Sequence, residues 1–258
     1  MGMQVPGFLG RIGLAQVMRR WSAVLAAPET VSAKGLREMR GQMRRLRDDL
    51  DRMAACAQSE LLARADGAED GIARPVQCDW SYRPEPWVRM MHPRGRVEVA
   101  SPTRLPGGVT LFHDAARPDL TLRQEPVPGS DAGARFGLVM EVYRFDGSFL
   151  SLVEDFPAEA LVGLTRNHFV TVSLNVDMEE PLEIYARLNV QHGPNTEQIV
   201  RQFALDGKRA VVEFDLAYTT INEKRLEKMW LDLIFEGPSM NRIALWDMNM
   251  IRAPRADM

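Results

Sequence analysis

Two different hydrophobic rhythms divide the chain. Up to about residue 66, apolar residues recur every three or four positions, the period of a helix with one buried side. From about residue 136 they alternate with polar residues, the period of a strand with one buried face. Between these regions, nine prolines in residues 75–128 exclude any long helix. The pattern predicts helices in residues 1–66 and a β domain over residues 67–258.

The first predicted helix occupies residues 1–27. An apolar stripe that includes Trp21 runs along one side, and Arg11, Arg19 and Arg20 fall on the other faces, which predicts a basic amphipathic helix. Such a helix packs on its own domain or on a partner subunit, or it lies on an anionic membrane surface. The membrane alternative is disfavoured because only three charges support it.

The second predicted helix occupies residues 28–66. Its apolar positions alternate three- and four-residue steps over about three heptads, the pattern of a coiled coil. They are Leu36, Met39, Met43, Leu46, Leu50, Met53 and Ala57. Because Gly35 and Gly41 each cost about 1 kcal/mol relative to alanine, this helix needs a packing partner. We expect self-association through residues 32–62, as a dimer or a trimer; packing on the first helix or on the β domain is the alternative.

Seven segments with strand composition or alternation follow one another without a regular helix between them. They are 136–145, 149–155, 169–178, 182–191, 211–218, 229–235 and 243–252. Turn sequences such as Asp146-Gly147 separate them, and short apolar runs at 109–112 and 120–122 indicate additional strands. The expected fold class is mainly β: an antiparallel β-sandwich that follows the two helices along the chain.

Alternation also predicts which polar side chains share a face. Opposite the apolar set, three strands carry Tyr185, Arg187, Asn189 and Gln191, then Glu213 and Asp215, then Trp230 and Asp232. In the last strand, alternation separates Ile243, Leu245 and Ile251 from Trp246, Met248 and Met250. The polar segment 189–197 adds His192 and Asn195 at the end of the sheet, either as site residues or as a hydrogen-bonded turn.

This combination of side chains predicts a carbohydrate-binding face. An indole ring stacks on the apolar face of a pyranose, while guanidinium, amide and carboxylate groups satisfy the sugar hydroxyls. The alternative is a solvated sheet face whose charges form cross-strand pairs.

No catalytic motif emerges from the chain. The four histidines lack metal-ligand spacing, and no nucleophile elbow, phosphate loop or dinucleotide fingerprint is present. A carboxylate pair such as Glu213 with Asp232 is the one arrangement that suits glycoside hydrolysis, and such pairs are common by chance. We therefore expect that the protein is not an enzyme and that it binds no metal ion and no cofactor.

Composition narrows the partners and the compartment. The formal net charge of −3 gives no basic excess for nucleic-acid binding. Cys56 and Cys78 form no disulfide framework and are expected to be reduced. No apolar run reaches the ~20 residues of a membrane span, and arginines interrupt the only candidate signal segment, so the expected location is cytoplasmic.

Several strings of residues resemble an uncharacterised alphaproteobacterial family of unknown function. The strings are 79–87, 145–152, 186–198, 213–216, 222–225 and 230–236, within a match over roughly residues 78–256. This resemblance implies a fold and no activity. The rhythm of the later strands is also similar to jelly-roll carbohydrate-binding modules, which implies a jelly-roll-like sandwich.

Together these patterns predict a non-catalytic, oligomeric binding protein with a carbohydrate-binding-module-like sandwich, in which the coiled coil multiplies weak sites for a polysaccharide or other glycan. The alternative is a structural or assembly protein, such as a spike or scaffold subunit, that uses the sandwich as a protein contact surface.

Overall fold

The structure, a computed structural model, describes residues 16, 18–19, 21–24, 26–65, 71–128, 133–205 and 207–255. Two compact units comprise Met1–Met53 and Ala54–Met258. Among the described residues, no helix combines the length and the apolar character that crossing a membrane requires.

The described part of the first predicted helix is helical. Residues 16, 18–19, 21–24 and 26 adopt this conformation, and Ser22 Oγ donates to Met18 O at 3.0 Å, four residues earlier. Most of that prediction, residues 1–15 with 17, 20 and 25, lies outside the described residues. A 3₁₀ turn at Pro28–Thr30 follows, so Pro28 does not begin the second helix.

The second predicted helix is present as one long helix, α1 (Ala33–Ala65). It begins after Ser32, whose Oγ accepts from the amide of Gly35 at 3.2 Å, as an N-cap does. Of the predicted heptad positions, Leu46, Leu50 and Met53 have exposed side chains in the single chain. Part of the predicted apolar stripe is therefore exposed on α1, and the coiled coil itself stays a prediction.

In the part of the second unit that the structure describes, there are thirteen strands and a one-turn helix, α2 (Glu85–Val88). The strands are β1 (Trp80–Tyr82), β2 (Gly95–Arg96), β3 (Thr103–Arg104), β4 (Val109–His113), β5 (Leu120–Pro126), β6 (Phe136–Val142), β7 (Leu150–Asp155), β8 (His168–Met178), β9 (Ile184–His192), β10 (Asn195–Gln202), β11 (Arg209–Asp215), β12 (Leu226–Phe235) and β13 (Asn241–Pro254). Short 3₁₀ turns lie at Pro106–Gly108, Ala158–Leu161, Leu216–Tyr218 and Glu223–Arg225.

Two antiparallel sheets share these strands. Sheet A has the order β11-β8-β13-β6-β5-β2, and β1 pairs with the second half of β13. Sheet B has the order β10-β9-β12-β7-β4-β3. Strands β6 to β13 place two interleaved Greek keys across the sheets, the arrangement of a jelly roll. The expected fold class is confirmed.

All seven predicted strands are present, with shifted ends. Strand β11 stops earlier than predicted because the Asp215 carboxylate accepts from the amide of Ala217 and opens the 3₁₀ turn that follows. Strand β10 was not predicted from the sequence, because its residues are mostly polar and exposed at the edge of sheet B. Its hairpin with β9 turns at Gly193, where φ is +59°, followed by Pro194, a pattern that suits a type II′ turn.

Apolar side chains from both sheets fill the space between them. Leu138 and Val172 from sheet A and Leu188 and Leu231 from sheet B are fully buried there. Burying each such side chain stabilises the fold by about 1.5–3 kcal/mol.

A β-bulge between Leu245 and Asp247 changes which side chains of β13 face the core, so the predicted faces of this strand are partly wrong. Ile243 and Leu245 point into the core before the bulge, and after it Met248 and Met250 belong to the same core. The predicted grouping of Ile251 with Ile243 and Leu245 is wrong, because the extra residue reverses the alternation.

Candidate functional site

The outer face of sheet B is built by cross-strand ladders of polar and aromatic side chains. Trp230 lies opposite Asn189 on β9 and Asp155 on β7. One step along the strands, Asp232 lies opposite Arg187. The period of two places these side chains on one surface, away from the core.

A groove of about 740 Å³ runs over this surface. Strands β3, β4, β7, β9 and β12 contribute the lining side chains Arg104, Val109, Thr110, Phe112, Val153, Asp155, Arg187, Lys228, Trp230 and Asp232. The connection between β3 and β4, with the residue before β3, adds Pro102, Leu105 and Gly108. Apolar, charged and hydroxyl groups therefore line one continuous depression.

The centre of the polar network is the carboxylate of Asp232, which is almost fully buried. Its Oδ2 accepts from Nε of Arg187 at 2.7 Å and from Nδ2 of Asn189 at 3.1 Å, and the Nη2 atom of Arg187 lies 2.6 Å from the same oxygen. The amide oxygen of Asn189 accepts from Gln198 on β10 at 2.9 Å. These charge-assisted bonds hold the guanidinium in one orientation beside the groove.

A second ion pair lies beside the indole ring. Lys228 Nζ is 2.7 Å from Asp155 Oδ1 and 5.2 Å from the centroid of the Trp230 ring, within cation–π range. The ammonium group thus covers part of the aromatic surface that a flat ligand would use.

The structure brings together most of the predicted face and excludes part of it. Tyr185, Arg187, Asn189, Gln191, Trp230 and Asp232 lie on adjacent strands β9 and β12 of sheet B. Arg187, Trp230 and Asp232 line the groove. Tyr185 and Gln191 instead donate to neighbouring carboxylates, Tyr185 OH to Glu183 at 2.6 Å and Gln191 Nε2 to Glu227 at 3.2 Å. The hydrogen bond to Glu183 raises the pKa of Tyr185.

Glu213 and Asp215 do not share this face, and that part of the prediction is wrong. Both lie on β11 at the edge of sheet A, and Asp215 pairs with Arg255 Nη1 at 2.6 Å. Alternation identifies the outward side of a strand but not the sheet that the strand joins. Glu213 and Asp232 therefore stand in opposite sheets and form no carboxylate pair for glycoside hydrolysis.

His192 and Asn195 fall outside the groove. The His192 side chain is buried at the end of β9, and its Nε2 makes no hydrogen bond to any described residue. Asn195 is exposed across the hairpin turn from it.

Sequence reasoning missed the wall of the groove that β3, β4 and β7 supply. Arg104 and Phe112 come from the proline-rich region, where the strands are too short to show a clear alternation. Asp155 had a usable signal, since Ser151, Val153 and Asp155 alternate with Leu150 and Leu152 along β7.

One carboxyl group on β7 points the other way, into the interior. Glu154 is buried between the sheets, where Tyr82 OH donates to its Oε1 at 2.9 Å. Burial raises the pKa of Glu154 to about 8, so the group is mostly protonated at neutral pH. Burial and the nearby carboxyl also raise the pKa of Tyr82.

Among the described residues, no three His, Cys, Asp or Glu side chains are placed to hold a metal ion. Cys56 and Cys78 are unpaired, the first exposed and the second half-buried.

Comparison with solved structures gives low-level similarities. The chain is similar to a tailspike protein 4 domain of bacteriophage CBA120, with 7% identity, a TM-score of 0.40 and coverage of 57% of this chain. It spans only 19% of that tailspike chain. It is similar to the CBM22-1 xylan-binding domain of Paenibacillus barcinonensis Xyn10C, with 10% identity, a TM-score of 0.38 and coverage of 72% of this chain and 100% of that one.

A third similarity is to a family 11 carbohydrate-binding module of Clostridium thermocellum solved with a β-1,3-1,4-mixed-linked tetrasaccharide. The identity is 10%, the TM-score is 0.35, and the coverage is 58% of this chain and 91% of that one. Similarity at this level carries no functional argument. No curated protein matches the sequence. A family match extends over residues 1–258, and the chain therefore belongs to the family of unknown function DUF6478.

Proposed function

We propose that the groove on sheet B binds carbohydrate. The observation that carries this proposal is the half-buried indole of Trp230 beside the fixed Arg187–Asp232 pair in one open groove. An indole face matches the apolar face of a pyranose, and an oriented guanidinium–carboxylate pair offers donors and acceptors to its hydroxyls. Specificity follows because a sugar that lacks a matching hydroxyl leaves these groups unpaired.

The proposed role is binding without catalysis. Glycoside hydrolysis needs one carboxyl group that is protonated and able to donate its proton to the leaving oxygen. Both carboxylates that line the groove are in ion pairs, Asp155 with Lys228 and Asp232 with Arg187. Each carboxylate therefore already has a cationic partner, and among the described residues the groove presents no unpaired carboxyl group for acid catalysis.

The exposed stripe of α1 supports an oligomeric form of this binding protein. Several groove domains joined through such helices would bind a repeating polysaccharide with greater avidity than one domain. A cytoplasmic location and a bacterial, alphaproteobacterial source remain expectations from the sequence.

The test is a glycan screen of the full-length chain, followed by calorimetry on each sugar that binds. Trp230→Ala is expected to weaken binding at least about tenfold, because stacking on the indole is lost. Tyr218→Ala is the matched control, since Tyr218 is an exposed aromatic residue after β11, away from the groove. Equal binding by both variants and the unchanged chain, or no binding of any glycan, would contradict the proposal.

The exposed stripe also favours the second candidate, a structural or assembly protein. That function predicts a defined oligomer that depends on α1 and no glycan binding. Light scattering of the full-length chain and of the Leu46→Glu/Leu50→Glu variant measures the first point, and Arg47→Glu serves as the surface control. A monomer at all concentrations would exclude both the oligomer and this second candidate.

A further inference from the structure

The groove carries more positive than negative charge. Its lining includes three cationic side chains, Arg104, Arg187 and Lys228, and two carboxylates, Asp155 and Asp232. The two carboxylates are each matched to one cation. Arg104 is exposed and makes no ion pair with another described residue. The net positive charge of the groove contrasts with the net charge of −3 on the whole chain.

The two ion pairs differ in how easily they open. The Asp232 side chain is 5% exposed and accepts two hydrogen bonds at the oxygen that also contacts Nη2 of Arg187, so this pair is part of the framework. The side chains of Lys228 and Asp155 are 47% and 46% exposed, and exposed pairs of this kind contribute little to stability. Lys228 is therefore free to exchange Asp155 for another anion.

Lys228 also stands where a sugar ring has to go. Its Nζ lies over the Trp230 ring, so a pyranose that stacks on that face displaces the ammonium group. A displaced ammonium group keeps its favourable energy only if it finds another anion or returns to water. A ligand that carries its own negative charge supplies that anion at the site.

Resting on the proposed carbohydrate binding, we infer that the groove selects an anionic glycan, with carboxylate or sulfate groups. Lys228 covers Trp230 when the groove is empty and pairs with the ligand's anionic group when a sugar is stacked. Arg104 on β3 provides a second contact for the negative charge at the opposite side of the groove. A neutral sugar displaces Lys228 without giving it a new partner, and it therefore binds less tightly.

The experiment compares charged and uncharged forms of the same backbone by calorimetry on the full-length chain. The probes are hexagalacturonate with its methyl ester, and dextran sulfate with dextran, so the carboxylate and sulfate cases are measured separately. We expect the charged form of at least one pair to bind about tenfold more tightly than its neutral form. We also expect this difference to shrink when the salt concentration rises to about 0.5 M.

Three variants assign the effect to the groove. Lys228→Met keeps the length of the side chain and is expected to weaken binding of the charged probe about tenfold, with the neutral probe bound equally or more tightly. Arg104→Gln is expected to weaken the charged probe alone. Lys208→Met, which removes an exposed lysine just before β11 in sheet A, is the control and changes neither.

The outcomes separate this inference from the proposal beneath it. Equal or tighter binding of both neutral probes overturns the charge selectivity and leaves carbohydrate binding in place. An effect of Lys208→Met equal to that of Lys228→Met also overturns it, because the attraction is then general. Failure of all four probes and of the glycan screen overturns both.

Discussion

The outer faces of the two sheets carry similar side chains and differ in what covers them. On sheet A, Trp246 packs with Val139 outside the main core, and the Arg242 guanidinium lies 5.9 Å from its ring centroid. Next to it on β13, Asp247 pairs with Arg83 at 2.8 Å and 3.1 Å. Sheet B repeats this combination of indole, cation and arginine–aspartate pair around Trp230.

The exposure of the indole ring determines what each combination of side chains does. Trp246 is 8% exposed, and a Cβ at Gly137 would lie 2.7 Å from its ring, so this indole is closely packed on the backbone. Trp230 is half-buried in an open groove. The same residue types therefore build a structural contact on one sheet and an available surface on the other, and residue type alone does not distinguish them.

The largest contrast is expected when the carboxylate is removed from each arginine–aspartate pair. Asp247→Asn removes a carboxylate from beside Arg83, whose side chain is 4% exposed, and is expected to lower the free energy of unfolding by about 3 kcal/mol. Asp232→Asn leaves Arg187, which is 38% exposed and reaches water, and is expected to cost about 1–2 kcal/mol.

Urea unfolding of both variants measures this difference. Asp232→Asn is also expected to weaken glycan binding, and Asp247→Asn is not. Equal losses of stability would show that cover does not separate the two pairs.

The second effect is a pH dependence of the unfolding free energy, and it comes from Glu154 in the interior between the sheets. The pKa of Glu154 is raised from its ordinary 4.5 to about 8, so the folded state binds this proton more tightly than the unfolded state does. The stabilisation is complete below about pH 4.5 and is lost as the pH rises through 8, by about 5 kcal/mol in all at about 1.4 kcal/mol per pKa unit. The measurement is the difference in unfolding free energy between the unchanged chain and Glu154→Gln from about pH 5 to about pH 9.

This difference should fall as the pH rises and become constant above about pH 9. Because Glu154 points away from the groove, glycan affinity is expected to show no matching change. A difference that stays constant with pH would contradict the protonated interior carboxyl.

Truncating the two indoles is expected to separate stability from binding. Trp246→Ala removes a closely packed ring and is expected to cost about 2–3 kcal/mol, with glycan affinity unchanged in the folded fraction. Trp230→Ala is expected to change the unfolding free energy by less than about 1 kcal/mol while it removes binding. Melting temperature and calorimetry on the same samples check both, and a reversed pattern would identify sheet A as the binding face.

The smallest change in stability is expected at the exposed ion pair of Lys228 and Asp155. Asp155→Asn is expected to change the unfolding free energy by less than about 0.5 kcal/mol, because both side chains of this pair are largely solvated. Its matched comparison is Asp232→Asn in the same groove. A loss above 1 kcal/mol would show that Lys228 is held in place, contrary to its proposed displacement.

Sequence pattern was sufficient where a strand alternates regularly and lies inside a sheet. Strands β9 and β12 pair without a register shift from Lys228 onward, and alternation placed Arg187, Trp230 and Asp232 on the side where the structure has them. The same reasoning failed for Glu213, because a strand's neighbours depend on the order of long-range pairing, which no local period records. It also failed along β13, where one extra residue at the bulge reverses the faces.

The parts that the sequence did not reveal have a common cause. Strand β10 is an exposed edge whose polar side chains resemble a loop, and β3 has only two residues. Both are strands because a neighbouring strand offers them hydrogen bonds, not because their own side chains favour it. The position of Arg104 in the groove wall therefore depends on tertiary pairing.

The position of β13 has a consequence for how the protein is made. It lies between β8 and β6 in the middle of sheet A, yet it follows every other strand in sequence. During synthesis, all six strands of sheet B leave the ribosome before β13, so they are able to pair while sheet A is still split in two. We expect nascent chains halted before residue 241 to expose apolar surface and to need chaperones, because β8 and β6 then lack the strand that lies between them.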